Sequence, residues 1–311
     1  MFFFNHRALA AELLDAHRRG VTVRVIADLE ASEVPDNAAV LNELLAAKIP
    51  VFLGKSQRNS KIHTKFAIVD NQRVLTGSAN WTGRGMTANA EDILAINDPD
   101  LAAQYTQAFE LHIPLAITKE KIQPKDEGRR PATRNTVTEK ILTPSLARPF
   151  RFTLDAPPEV FFSPRERPPE KITQDIQAAQ HTITVLMYEF HDQDLREQLA
   201  RAAERGINVR ILFDYNGVNT DIALERLRAL AARGITIAIY KHPEDAASMH
   251  LKAAVIDNAI VWTGSANWSR GAFYGNFEDT LRLSSRQLAE KYQALADRLF
   301  KTRHTTPLKT P

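Results

Sequence analysis

The chain has 311 residues, 44% hydrophobic and 25% charged, an ordinary globular composition with room for about two domains. It has no cysteine, which excludes disulfides and thiolate chemistry, and no apolar run near the ~20 residues of a membrane helix. A pI of about 9.0 hints at an anionic partner, but residues 114–150 carry eight basic and four acidic residues, more than the whole excess of +3. The basicity therefore sits in a Pro-, Thr- and Lys-rich linker, and no broad cationic face for a nucleic acid follows.

In chain order, "MFFFNHRAL" is too short an apolar run for a signal peptide, so the compartment stays open. "LAAELLDAHRRGVTVRVIAD" (9–28) then predicts a helix, a glycine stop and a strand, and it reappears at 195–214 as "LREQLARAAERGINVRILFD". His63, Gly77, Asn89 and Glu91 likewise find His250, Gly264, Asn276 and Glu278 exactly 187 residues on.

The second copy reads fully. A strand at "VFFS" and a helix at "EKITQDIQAAQ" precede the strand "TITVLMYEF". A helix through Leu195, Leu199 and Ala202 ends at Gly206, and strands "INVRILFD" and "ITIAIY" flank a further helix. Strands "HLKAAVID", "AIVWTGS" and "EDTLRLS" follow, and a helix through Leu288, Tyr292 and Leu295 closes the unit. This alternation predicts an α/β fold of two mixed-sheet repeats, with helices packed on the sheets. The repeats span 1–113 and 156–301, joined by a linker at 114–155 and followed by a tail at 302–311. Met1–Phe4 align with Met187–Phe190, so residues 160–186 have no counterpart in the first repeat. The expectation is a first repeat incomplete at its front, with "FRFTL" (150–154) available to take the empty place.

Each repeat carries His-x-Lys-x4-Asp-x6-Gly-Ser-Ala-Asn-Trp. Strand alternation points His63 with Lys65, and His250 with Lys252, toward one face. Two groups that repel when protonated suit an anion held between them. Asp70 and Asp257 have the opposite parity and precede an asparagine, as turn formers do. Gly77-Ser78 and Gly264-Ser265 end the next strand, where small residues admit a ligand close to the backbone. The Ser78, Ser265, Asn80 and Asn267 side chains add donors suited to a phosphoryl group. Glu91 and Glu278 each open a strand and are placed to accept a hydrogen bond from a histidine ring, fixing its tautomer.

This doubled pattern resembles the phospholipase D superfamily over nearly all of both repeats. The resemblance implies two repeats about a pseudo-twofold axis, with both motifs in one site. It implies that one histidine attacks phosphorus to give a phosphohistidine while the other protonates the leaving alcohol. By position, His63, His250, Lys65, Lys252, Glu91 and Glu278 are the catalytic set. Asn80, Asn267, Ser78 and Ser265 bind substrate, and Asp70 and Asp257 are structural. By analogy His63 is the nucleophile and His250 the acid; no cofactor or metal is implied.

A single His-x-Lys is more often a surface pair on an edge strand, and it is the duplication that argues otherwise. A metal site is the rival chemistry, but a lysine beside each histidine is a poor neighbour for a metal, and no His-Glu-x-x-His spacing occurs. Trp81 and Trp268 read as packing residues; Phe273-Tyr274, aligned with Met86 and its neighbour, read equally as packing or as substrate contacts. The remaining histidines, unrepeated, read as surface or structural. A phosphodiesterase acting on a phospholipid head group is favoured, as a monomer with a pseudo-dimeric core. The alternatives are an endonuclease, a phosphatidyl transferase of the cardiolipin synthase kind and a non-enzymatic binding module, the last disfavoured because no His or Lys of either motif is lost.

Overall fold

A computed structural model describes residues 1–125 and 150–308. The most charged part of the predicted linker, 126–149, lies outside the described residues. The first repeat runs α1 (Arg7–Arg18), β1 (Val25–Asp28), α2 (Pro35–Ala46), β2 (Val51–Gly54), β3 (Ala67–Val69), β4 (Arg73–Gly77), α3 (Gly83–Thr87), β5 (Ile93–Asn97), α4 (Pro99–His112) and β6 (Ile117–Thr118). The second opens with β7 (Glu159–Ser163), α5 (Pro168–Ala178) and β8 (Thr182–Met187). It continues through α6 (Gln193–Glu204), β9 (Asn208–Asp214), α7 (Tyr215–Val218), α8 (Asp221–Ala231) and β10 (Thr236–Tyr240). The chain ends with β11 (Lys252–Ile256), β12 (Ile260–Gly264), α9 (Arg270–Tyr274), β13 (Glu278–Ser284), α10 (Arg286–Lys301) and β14 (Thr305–Pro307).

In the second repeat these strands make one mixed sheet, ordered β14-β10-β9-β8-β11-β12-β13-β7. Strands β8, β9 and β10 run parallel, linked by helices, and the remaining pairs are antiparallel. Residues 183–187 and 211–213 are buried along their lengths, as strands covered on both faces must be. Both Asp-Asn pairs turn a hairpin. Asp70 and Asn71 have φ of 53° and 53°, and Asp257 and Asn258 have 49° and 52°. Two left-handed residues in a row give the turn whose twist matches the flanking strands. The Asp257 carboxylate also accepts from the backbone N–H groups of Gln180, His181 and Thr182, tying this turn to the start of β8.

The first repeat has the same order in two pieces, β1-β2-β6 and β3-β4-β5, with no described strand joining β1 to β3 as β8 joins β9 to β11. Phe4 bridges Trp81 as Phe190 bridges Trp268, so the alignment of Met1–Phe4 with Met187–Phe190 holds in space. "FRFTL" does not fill the gap. Phe152 and Leu154 pack on a core shared by both repeats, and Asp155 donates to the Ser284 carbonyl beside β13. Its apolar side chains find that core within reach of β7, which follows four residues later and is held at the opposite edge. Two short edge strands also fall outside the predicted repeat limits: β6 in the stretch read as linker and β14 in the stretch read as tail.

The shared core explains why two repeats make one body. Val74, Leu94, Ile96 and Tyr105 of the first repeat pack with Val255, Leu281, Leu283 and Tyr292 of the second. Trp268 and Trp81 pack edge-on against Phe190 and Phe4, and Trp262 is buried with its ring N–H on Asp175. Phe273 is fully buried while Tyr274 is exposed, so that pair divides between core and surface.

Candidate active site

His63 and His250 lie just before β3 and β11, and each is held by the other repeat. The His63 N–H donates to the Phe277 carbonyl at 2.9 Å, and the His250 N–H donates to the Ala90 carbonyl at 2.9 Å. Those acceptors immediately precede Glu278 and Glu91, so each backbone bridge brings a carboxylate from one repeat onto the histidine of the other. The His63 Nδ1 lies 2.8 Å from Glu278 Oε2, and the His250 Nδ1 lies 2.9 Å from Glu91 Oε1. With Nδ1 committed as donor to a carboxylate, each ring leaves Nε2 with a free lone pair.

The carboxylates are themselves held. Ser78 Oγ donates to Glu91 Oε2 and Ser265 Oγ to Glu278 Oε2, both at 2.6 Å, while Asn89 and Asn276 amides donate to the remaining oxygens at 3.0 and 2.9 Å. The serines were expected to bind a phosphoryl group, and the structure corrects this. Both are completely buried, their hydroxyls are spent on glutamate, and each also accepts the N–H of Asp92 or Asp279 at 3.0 Å. Gly77 and Gly264 are corrected in the same way. Their φ of 145° and 137° and a Cβ that would sit 2.3 Å from the Asp92 or Asp279 carbonyl show what needs the space. It is the neighbouring strand, at its carboxylate-bearing end, rather than a ligand.

Behind the glutamates a further cross-repeat set was missed. Asp279 accepts from the Thr76 hydroxyl at 2.5 Å and the Tyr105 hydroxyl at 2.9 Å. Asp92 mirrors it with Thr263 and Tyr292, and also accepts the Ser78 N–H at 2.7 Å. All these pairs keep the 187-residue offset, which was the available signal.

Lys65 and Lys252 are each 2% exposed, and each ammonium donates to the carbonyl of its own histidine. Neither forms an ion pair with a described carboxylate, so further N–H donors stay available on each ammonium. Burial pushes Lys65 down to about 8 and Lys252 to about 7, with Glu278 and Glu91 respectively as the leading opposing charges. Burial also pushes both histidines to about 4; each feels the lysines of both repeats, which lower it further, against its glutamate, which raises it. Burial would raise the carboxyls of Glu91 and Glu278, but their histidine and lysine neighbours outweigh it and hold both low. The site is thus two neutral imidazoles and two under-solvated cations in one field, an arrangement that an incoming anion relieves.

Phe2 and Tyr188 occupy matching places, edge-on to His63 at 4.8 Å and to His250 at 4.9 Å between ring centres. Asn80 and Asn267 each bury a side-chain oxygen that has no partner, and the Asn267 amide lies 3.5 Å from Glu189 Oε2. Asp70 and Asp257 stand away from this cluster, in the hairpin turns. Among the described residues no group of three or more His, Asp or Glu side chains is arranged to hold a metal ion, and no helix is long and apolar enough to cross a membrane.

Comparison with known proteins places this geometry. The family model described as cardiolipin synthase, PLD-like domain, matches residues 1–113 and 172–300, one segment for each repeat. A mitochondrial cardiolipin hydrolase of Xenopus laevis is 38% identical over 110 residues, 35% of this chain and 50% of that protein. A phospholipase D of Rickettsia bellii is 37% identical over 99 residues, 32% of this chain and 47% of that protein. The chain spans about half the length of the curated relatives it matches. Among solved structures, the phosphatidylserine synthase of Haemophilus influenzae shares the fold, with a TM-score of 0.69, 14% identity and coverage of 98% of this chain and 79% of its own.

Proposed function

Given that this chain belongs to the phospholipase D superfamily, we propose that it is a phosphodiesterase acting through a phosphohistidine. One observation carries the reading: each histidine is oriented by a carboxylate of the opposite repeat, with two buried lysines at hand. In this reading His250, held neutral by burial and the lysine charges, takes up a proton on Nε2 as the phosphodiester anion binds and offsets those charges. The Nε2 lone pair of His63 attacks phosphorus, and the bond from phosphorus to the leaving oxygen breaks as His250 delivers that proton to it. His250, now neutral, takes a proton from water; the resulting hydroxide attacks phosphorus, the N–P bond breaks, and both rings return to their starting states. Lys65 and Lys252 stabilise the charge on the phosphoryl oxygens throughout, with the amides of Asn80 and Asn267 as further donors. The substrate is a phospholipid head group, in keeping with the lipids named for the relatives, and the enzyme works as a monomer containing both halves of its site.

Hydrolysis is expected to proceed at an unchanged rate with a chelator present, because lysines supply the positive charge and histidine the nucleophile. The assay compares release of the head group from a phospholipid micelle, and cleavage of a single-stranded DNA, with and without chelator. Loss of activity restored by Zn²⁺ or Mg²⁺ would sink the mechanism, and cleavage of DNA alone would replace the substrate.

The pH dependence follows from the same site. Rising pH removes the proton of Lys252 near 7 and of Lys65 near 8, and leaves fewer protons for the acid histidine. Below about 4 both rings are protonated and the nucleophile is lost. The optimum of kcat/KM, which reports the free enzyme, is therefore expected on the acid side, near 4, where one ring is protonated and the other neutral, with a further fall as Lys252 and then Lys65 lose their charge. A rate still climbing at pH 9 would show that the lysine charges are not needed.

A further inference from the structure

The two halves of the site differ in charge at their rims. The loop at 55–61, "KSQRNSK", holds Lys55, Arg58 and Lys61 and no acid, whereas its counterpart "KHPEDAAS" at 241–248 sets Glu244 and Asp245 against Lys241. At the 187-residue offset, Arg58 stands opposite Asp245 and Lys61 opposite Ser248. Lys55 is paired with Glu30 at 2.7 Å, but Arg58 and Lys61 have no carboxylate within ion-pairing distance among the described residues. Lys61 reaches toward the chemistry. Its ammonium lies 5.4 Å from the ring centre of Phe2, which is 4.8 Å from that of His63, so it is at most 10.2 Å (the sum of the two) from the imidazole centre. In the second repeat the corresponding serine donates no charge, and its hydroxyl accepts from the Asn216 amide at 3.2 Å.

This loop is built, not loose. Ser56 Oγ caps the backbone N–H groups of Arg58 and Ser60 and donates to the Gly275 carbonyl of the other repeat at 2.5 Å. Ser60 Oγ donates to Asn276 Oδ1 at 2.7 Å, and the same Asn276 donates to Glu278, which holds His63. The loop that carries the two cations is thus tied through two hydrogen bonds, Ser60 to Asn276 and Asn276 to Glu278, to the carboxylate that orients a histidine. Cations carried on a fixed loop beside a phosphodiester site are placed to take an anion, because the backbone that presents them is already ordered before binding.

We propose that Lys61 and Arg58 form a subsite for a second phosphate of the lipid substrate, carried on the arm of the phosphodiester that lies over the first repeat. This deepens the reading of a lipid phosphodiesterase and rests on it. The subsite also gives the substrate a direction, since the pseudo-symmetric position over the second repeat offers Asp245, paired with Lys241 at 3.7 Å, and Ser248 in place of Arg58 and Lys61.

The test compares phosphatidylglycerol phosphate with phosphatidylglycerol, which lacks the second phosphate, in the same neutral detergent micelles. The quantity read is the ratio of their kcat/KM values, for the wild type, for Lys61→Gln, for Arg58→Gln and for the double variant. Both side chains are exposed, so the variants should fold, and circular dichroism checks that they do. The ratio is expected to favour the two-phosphate lipid in the wild type and to drop about ten- to a hundredfold in the double variant. Lys61→Arg should keep most of it. Equal losses on both lipids, or no loss on either, would overturn the subsite and leave the proposed function standing. A wild type that turns over neither lipid would overturn both. Dependence on Lys61 seen only with a single-stranded oligonucleotide would assign the cations to a nucleic acid and overturn the lipid subsite.

Discussion

His63→Ala and His250→Ala should each lower turnover by about 10²–10⁴-fold or more, the range commonly lost with a general acid or base. The expectation of near-equal loss comes from the way the site is assembled. His63 is anchored by Phe277 and Glu278, and His250 by Ala90 and Glu91, so neither repeat holds a working site by itself. The double variant should be scarcely slower than either single one, because groups that serve one two-step transfer are not additive. The two variants also differ in a way that orders the histidines. With a p-nitrophenyl ester the leaving group departs without a proton, so the first step needs the nucleophile alone. If His63 attacks, His250→Ala should release one equivalent of p-nitrophenol in a burst and trap the phosphohistidine, and His63→Ala should release none. The opposite pattern would exchange the two roles, and about half of the wild-type rate in either single variant would mean two independent sites.

Much of this site was legible because it was written twice. His-x-Lys on alternating strand positions, and a glutamate at a fixed distance, point to an anion between oriented imidazoles before any coordinates are seen. Which glutamate serves which histidine was not legible. Sequence distance suggests Glu91 for His63, 28 residues away, and the fold instead brings Glu278, 215 residues away, to 2.8 Å. Pairing across a pseudo-twofold axis is a tertiary fact, and either arrangement would give the same spacing in the chain.

The serines show a different limit. Position at a strand end marked Ser78 and Ser265 as donors near the site, which they are, but their rotamers turn the hydroxyls inward to glutamate. No spacing rule gives that direction. Asp92 and Asp279, Thr76 and Thr263, Tyr105 and Tyr292 carry the same offset as the catalytic residues. Their types are common at sheet ends and in helices, so repetition alone did not separate them from ordinary packing. The short edge strands β6 and β14 escaped because two or three residues in a polar stretch have no measurable period. The order of the longer elements, by contrast, followed directly from apolar runs and their punctuation.

Removing the carboxylates behind the glutamates is expected to have the largest effect on stability. Asp279 is completely buried and accepts two hydroxyl hydrogen bonds, from Thr76 and Tyr105, both across the repeat interface. In Asp279→Ala those two buried donors lose their acceptor in a place water does not reach, at a cost of about 1–3 kcal/mol for each unsatisfied group. A net loss of about 2–5 kcal/mol is expected, measured as a lower urea midpoint at unchanged slope. Asp279→Asn should cost far less. The amide oxygen still accepts, and the variant discards a carboxylate whose other oxygen has no partner and whose pKa burial drives upward. Asp92→Ala should cost more than Asp279→Ala, because the Asp92 carboxylate also accepts the Ser78 N–H, whereas the counterpart Ser265 N–H donates to the main-chain carbonyl of Asp279, which the substitution keeps. If Asp279→Ala and Asp279→Asn were equally destabilising, charge rather than hydrogen bonding would hold this layer. If neither moved the midpoint, the two repeats would be joined by their apolar core alone.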